Sequence, residues 1–82
     1  MKLELYYYPE CPFCQIVLKK IDTLLNKPEI KLKHINQDTT ALNFHIKQTG
    51  RRTVPCLYID DKPMFESRDI ARWLDSNFNK GR

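Results

Sequence analysis

Eighty-two residues with 41% apolar and 29% charged side chains allow one small domain, 1–82, and exclude a two-domain enzyme or a repeat array, because a chain this short buries only about 60% of its unfolded surface. That balance is too apolar for a disordered chain and too polar for a membrane protein. Fourteen Lys and Arg against ten Asp and Glu leave a net charge of +4, scattered along the chain, which suits small anions as well as nucleic acid and does not choose between them.

The first segment, Met1 to Glu10, alternates polar and apolar residues and lacks the apolar stretch and cleavage site of a signal peptide, so the expected location is the cytoplasm. Three cysteines, Cys11, Cys14 and Cys56, cannot form a paired disulfide framework, and their expected role is chemical.

Lys2 to Tyr7 reads as a first strand, ended by Pro9. From Pro12 the apolar positions Phe13, Ile16, Val17, Ile21, Leu24 and Leu25 recur at helical spacing, and Pro28 is the expected stop. Lys31 to Asn36 predicts a second strand, reached through a right-handed crossover and so parallel to the first. Thr39 or Thr40 is placed to cap a second helix carrying Leu42, Phe44 and Ile46, with Gly50 as its C-terminal stop. Val54 to Ile59 predicts a third strand, Asp60-Asp61-Lys62 a turn and Pro63 to Phe65 a fourth strand. Ser67 is the expected cap of a last helix bearing Ile70, Trp73, Leu74 and Phe78. The order is β-α-β-α-β-β-α with an antiparallel hairpin at one side.

Cys11-Pro12-Phe13-Cys14 lies at the junction of the first strand and first helix. Two cysteines at this spacing stand about one turn apart, where a reversible disulfide is geometrically feasible. The free N–H groups and positive dipole end of the helix favour a thiolate on Cys11, and Pro12 suits the first helical position. Cys11 is therefore the expected nucleophile, and Cys14, deeper in the helix, the resolving thiol. The competing reading is half of a zinc site. It needs two further ligands, and Cys56, His34 and His45 supply no second pair at ligand spacing.

Pro55 is either an edge device or a cis bond, and the residues alone leave both open. Ser67 with Arg68 and Asp69 offers N–H groups, a hydroxyl and an acid within one turn, which is an anion site or an ordinary helix start. Cys56 reads as a small buried hydrophobe or a regulatory thiol. The tyrosines Tyr6 to Tyr8 are expected in core and cleft, Trp73 in the core, and His34 and His45 in structural or solvent roles.

Tyr8-Pro9-Glu10-Cys11-Pro12-Phe13-Cys14, Thr49-Gly50-Arg51-Arg52-Thr53-Val54-Pro55 and Glu66-Ser67-Arg68-Asp69-Ile70 together resemble a glutaredoxin of the dithiol class, across essentially the whole chain. The resemblance implies an α/β thioredoxin-like fold with a four-stranded mixed sheet and helices on both faces. It implies a cis Val54–Pro55 bond facing the Cys11 sulfur, with Val54 offering its backbone to the cysteine of glutathione. It implies a monomeric glutathione-disulfide oxidoreductase with a redox-active Cys11–Cys14 pair. Glutathione is then a co-substrate, with no tightly bound cofactor and no metal. The implied partners are oxidised or glutathionylated proteins and, indirectly, glutathione reductase with NADPH, and neither nucleic acid nor membrane. The implied glutathione contacts are Arg51, Thr53, Val54, Pro55, Glu66, Ser67, Arg68 and Asp69, with Tyr8, Pro12 and Phe13 lining the active site.

Two departures matter. Glutaredoxins usually carry Gly-Gly where Phe65 and Glu66 stand, so the last motif is more similar to the N-terminal domain of glutathione transferases, whose second, helical domain does not fit within 82 residues. Tyr8 stands where the pattern has Lys or Arg, and Arg51 is expected to supply that charge, or to form a solvated loop pair with Arg52. Two other functions fit the resemblance: a [2Fe–2S] module held by Cys11 and glutathione, and a thioredoxin-like reductant served by a dedicated reductase. Pro12 and Cys14 weigh against the cluster, and the lack of Trp before Cys11 weighs against the reductant.

Overall fold

Alternation along the first strand sends Leu3 and Leu5 to one side and Tyr6 to the other, and all three are buried, so this strand must be covered on both faces. In the computed structural model, which describes residues 1–79, it is β1 (Leu3–Tyr7), followed by α1 (Pro12–Thr23), β2 (Lys31–His34), α2 (Thr39–Thr49), β3 (Cys56–Ile59), β4 (Lys62–Phe65) and α3 (Ser67–Phe78). The sheet order is β2-β1-β3-β4. β1 runs parallel to β2 and antiparallel to β3, and β3–β4 is an antiparallel hairpin. Element order, crossover and mixed sheet are those of the expected thioredoxin-like fold.

Helices α1 and α3 cover one face, where Leu3, Leu5 and Leu57 meet Val17, Leu24, Ile70 and Leu74. Helix α2 covers the other, over Tyr6, Cys56, Tyr58, Ile35 and Ala41. Each fully buried Leu contributes roughly 1.5–3 kcal/mol. Trp73 is half-buried against the first cluster and meets Phe78 edge-on at 5.8 Å.

Several boundaries differ from the sequence reading. α1 ends at Thr23, before Leu25 and well before Pro28. The chain is drawn off the helix axis there by the far end of α3: the Leu25 N–H donates to Asn79 Oδ1 at 2.7 Å and the Asn26 N–H to the Phe78 carbonyl at 2.9 Å. Asp38, rather than Thr39 or Thr40, caps α2, its carboxylate accepting the Ala41 N–H at 3.0 Å. Gly50 ends that helix at φ 76°, the left-handed conformation for which glycine is suited. β2 stops at His34 instead of Asn36, β3 starts at Cys56 instead of Val54, and β4 already includes Lys62.

The hairpin turn is the pair Asp60-Asp61, at φ 48° and 72°. Two consecutive positive φ values match the twist of the flanking strands, and Asp tolerates them better than most side chains. The Lys2 N–H donates to Asp60 Oδ1 at 2.7 Å, and the Lys2 ammonium meets Asp61 at 2.8 Å, tying the turn to the start of β1.

Candidate functional site

β1 delivers the chain to a short loop that closes on itself: the Cys11 N–H donates to the Tyr8 carbonyl at 3.3 Å, and the Gln15 side chain donates to the Pro9 carbonyl at 2.6 Å. Cys11 is the N-cap of α1, with extended backbone (φ −75°, ψ 119°). Pro12 has no N–H to offer, and the Cys11 sulfur accepts the Cys14 N–H at 3.3 Å, taking the place of the oxygen that usually caps a helix. Both thiols are free, Cys11 6% exposed and Cys14 wholly buried. Burial, with a smaller contribution from the neighbouring Cys11, pushes the Cys14 thiol up to about 12, against a backbone hydrogen bond from Tyr8 that lowers it. Both cysteines are buried and occupy different places: Cys11 caps the helix through its sulfur, and Cys14, in the first turn, keeps its proton.

Val54–Pro55 is cis. Thr53, Val54 and Pro55 form one wall of an open groove of about 930 Å³ between α1 and α3, with Phe13, Ile16 and Lys20 on another and Glu66 to Asp69, Ala71, Arg72 and Asp75 on the third. Phe13 is 62% exposed and Ile16 is also exposed, so the α1 wall is apolar up to Lys20. Lys20 and Asp75 close one end through a 2.9 Å ion pair across the two helices.

Glu66 carries the sharpest local signature. Its φ of 75° and ψ of 112° lie where glycine is favoured, and its side chain caps nothing. Ser67 is thus not the cap of α3 but its first residue, because the chain turns into the helix at Glu66. Glu66 thus stands, where the glutaredoxin pattern carries its second Gly, in a conformation that favours glycine. The hydroxyl and first N–H groups of α3 consequently border the groove. Asp69 lies 4.0 Å from Arg72, whereas Glu66 and Arg68 join no ion pair among the described residues.

The structure brings together Phe13, Thr53, Val54, Pro55, Glu66, Ser67, Arg68 and Asp69 of the expected site. Cys11, Pro12 and Cys14 belong to the adjoining turn of α1 and do not line the groove. Tyr8 does not line it either: it packs with the α2-side cluster, which Tyr6 joins as a buried member, and Tyr7 packs on the opposite cluster. Arg51 lies over the Phe65 ring, 4.3 Å from its centroid. Cys56 is fully buried, and burial pushes its thiol up to about 12. Among the described residues no three His, Cys, Asp or Glu side chains gather as metal ligands.

The sequence reading missed Ile16, Lys20, Arg72 and Asp75, whose helical spacing alone could have marked one face of each helix. It also missed a buried polar pair. His45 is completely buried, with Nδ1 2.8 Å from the Tyr58 hydroxyl and Nε2 2.7 Å from the Thr53 carbonyl. Burial raises the Tyr58 phenol above its ordinary range, keeping it a donor.

Similar folds place this geometry. A glutathione S-transferase (unclassified 2) from Bombyx mori superposes with a TM-score of 0.77 at 21% identity, over 98% of this chain and 37% of that one. An epsilon-class glutathione S-transferase from the housefly, Musca domestica, gives 0.72 at 25%, over 96% and 36%. The thioredoxin-like protein BC3987 gives 0.73 at 23%, over 89% and 99%. The chain thus spans just over a third of these two transferases and nearly all of the thioredoxin-like protein. No curated protein matches the sequence. The family model described as glutathione S-transferase, N-terminal domain, matches residues 5–82, and the chain, thioredoxin-like in fold with a helix-capping Cys11 beside a cis-proline groove, belongs to that family.

Proposed function

We propose that this protein is a glutathione-dependent thiol–disulfide oxidoreductase that works through Cys11 and Cys14. The observation that carries the reading is the thiol pair at the start of α1: the Cys11 sulfur caps the helix by accepting the Cys14 N–H, which sets the two cysteines side by side. A groove with a free helix N-terminus and backbone from a cis-proline loop adjoins it.

The Cys11 thiolate attacks the glutathionyl sulfur of a mixed disulfide; the new S–S bond forms as the substrate thiolate leaves and takes up a proton. A second glutathione thiolate attacks that adduct, giving oxidised glutathione and restoring Cys11. With a protein disulfide, the Cys11 thiolate first attacks one substrate sulfur, forming a mixed disulfide as the other leaves; Cys14 then loses its proton and attacks the Cys11 sulfur, expelling the second substrate thiolate and closing a Cys11–Cys14 disulfide, which two glutathiones reopen as one oxidised glutathione. Glutathione reductase and NADPH return the oxidised glutathione to thiol.

Glutathione fits the groove as one added strand rung on the Val54 backbone. Its γ-glutamyl group lies at the start of α3 among Glu66, Ser67, Arg68 and Asp69, where N–H groups favour carboxylate and the acids favour ammonium. Every group this chemistry uses lies between residues 11 and 69. The working unit is proposed to be the single domain 1–82, monomeric and cytoplasmic, with oxidised or glutathionylated proteins as partners.

The test is turnover of a small glutathione mixed disulfide, coupled to glutathione reductase and NADPH, for the wild type, Cys11→Ser and Cys14→Ser. Loss at Cys11 with most turnover kept at Cys14 is expected. An inactive wild type, or an active Cys11→Ser, overturns the reading. The family match favours a second activity, addition of glutathione to an electrophile, which turnover of chlorodinitrobenzene by the same proteins detects.

A further inference from the structure

The buried His45–Tyr58 pair is not part of the groove, yet it holds Thr53, in the backbone of one of the groove's walls. His45 leaves α2 on the face opposite α1 and α3, stacks on Tyr6 at 5.3 Å between ring centroids and meets Phe65 at 5.9 Å. Its Nε2 faces the Thr53 carbonyl oxygen at 2.7 Å. A carbonyl oxygen only accepts, so Nε2 carries the hydrogen. In the neutral ring Nδ1 is then the acceptor, and the Tyr58 hydroxyl at 2.8 Å is its donor.

The Thr53 carbonyl and the Val54 N–H belong to one planar peptide unit, and in a trans unit they point in opposite directions. The only cis bond among the described residues is the next one, Val54–Pro55. A ring that holds the carbonyl toward the α2 side therefore aims the Val54 N–H away from it. Among the described residues that N–H donates to no other group. We propose that His45 is a positioning residue that orients the Val54 N–H toward the groove by fixing the Thr53 carbonyl, with Tyr58 selecting the tautomer that can do so. Glutathione enters the proposal only through the oxidoreductase reading above; the orientation of the peptide stands on the geometry alone.

His45→Gln and His45→Asn separate the two contacts. The Gln amide nitrogen reaches about as far as Nε2 and can donate to Thr53, whereas the Asn amide reaches only about as far as Nδ1. In the coupled assay His45→Asn is expected to raise KM for glutathione roughly tenfold, as for loss of one hydrogen bond to a buried group, with kcat nearly unchanged. His45→Gln is expected to restore most of the loss. In amide spectra without glutathione, the Val54 signal should move in the Asn variant and lie near its wild-type position in the Gln variant. Tyr58→Phe, which keeps the core ring, should give a smaller rise of roughly threefold and a mixed imidazole tautomer in nitrogen-15 spectra.

Equal KM and equal Val54 signals in wild type, Asn and Gln overturn the proposal, as does a KM that falls and rises only with stability. If His45→Asn does not fold, Tyr58→Phe decides: an unmoved Val54 signal with an unmoved tautomer overturns it. If the wild type does not use glutathione, the oxidoreductase reading fails, and the Val54 amide signals judge the positioning by themselves.

Discussion

Glu66 shows how a single backbone conformation shapes the site. A non-glycine residue at φ 75° carries a steric cost of roughly 1–2 kcal/mol, and the fold holds it there because α3 must start at Ser67 to bring its first N–H groups to the groove. Glu66→Gly removes that cost and adds some unfolded-state freedom. The expected result is a melting temperature a few degrees higher in calorimetry, together with a higher KM for glutathione, since the carboxylate at the groove is lost. A variant less stable than wild type sinks the account of Glu66 as a strained position. The left-handed turn itself was not visible in the residues; only the contrast with a Gly-Gly pattern marked it.

Helix termini show where local signals succeed and where they fail. Gly50 was legible as a stop because a left-handed cap is a property of one residue. The start of α2 was misplaced by one or two residues, since Asp38 and two threonines all carry capping groups and only the fold selects which one accepts the Ala41 N–H. Asp38→Ala is therefore expected to cost about 1 kcal/mol in urea unfolding and Thr39→Ala much less. Equal losses would assign the cap wrongly. The α1–α3 contact carries its own pH signature. Lys20 holds the Asp75 carboxyl below its ordinary range, and Asn79 adds to this at 2.6 Å. A depressed folded-state value means that the stabilisation is present above the unfolded carboxylate range and lost as pH falls through the lower folded value. Asp75→Asn should unfold more easily than wild type at neutral pH, and the gap should close at strongly acid pH and shrink with added salt.

On the scale of the whole molecule, the sheet is the divider between two unlike clusters, one aliphatic under α1 and α3 and one aromatic under α2. A chain of 82 residues has a net stability of roughly 4–12 kcal/mol, and Leu57, fully buried at the centre of the sheet, should contribute a large share. Leu57→Ala is expected to cost about 2–5 kcal/mol in denaturant unfolding; a loss near zero would mean that the aliphatic cluster is not the principal core. The groove is built on the aliphatic side while its Val54 wall is anchored on the aromatic side, which makes the site a product of both layers.

Element order, the parallel crossover, the hairpin and the place of Cys11 and Cys14 at a strand–helix junction were all legible in the residues. These rest on periodicity, turn chemistry and spacing, which act within a few residues. The cis bond at Pro55 was open from the residues and was expected only from the family resemblance, as were the proposed glutathione contacts. The end of α1, the turn at Glu66, the seat of Arg51 on Phe65 and the link from His45 to Thr53 were decided by the tertiary structure. Each depends on groups that meet only when the sheet and helices assemble, such as Asn79 reaching Leu25 across 54 positions, and no local propensity encodes that meeting.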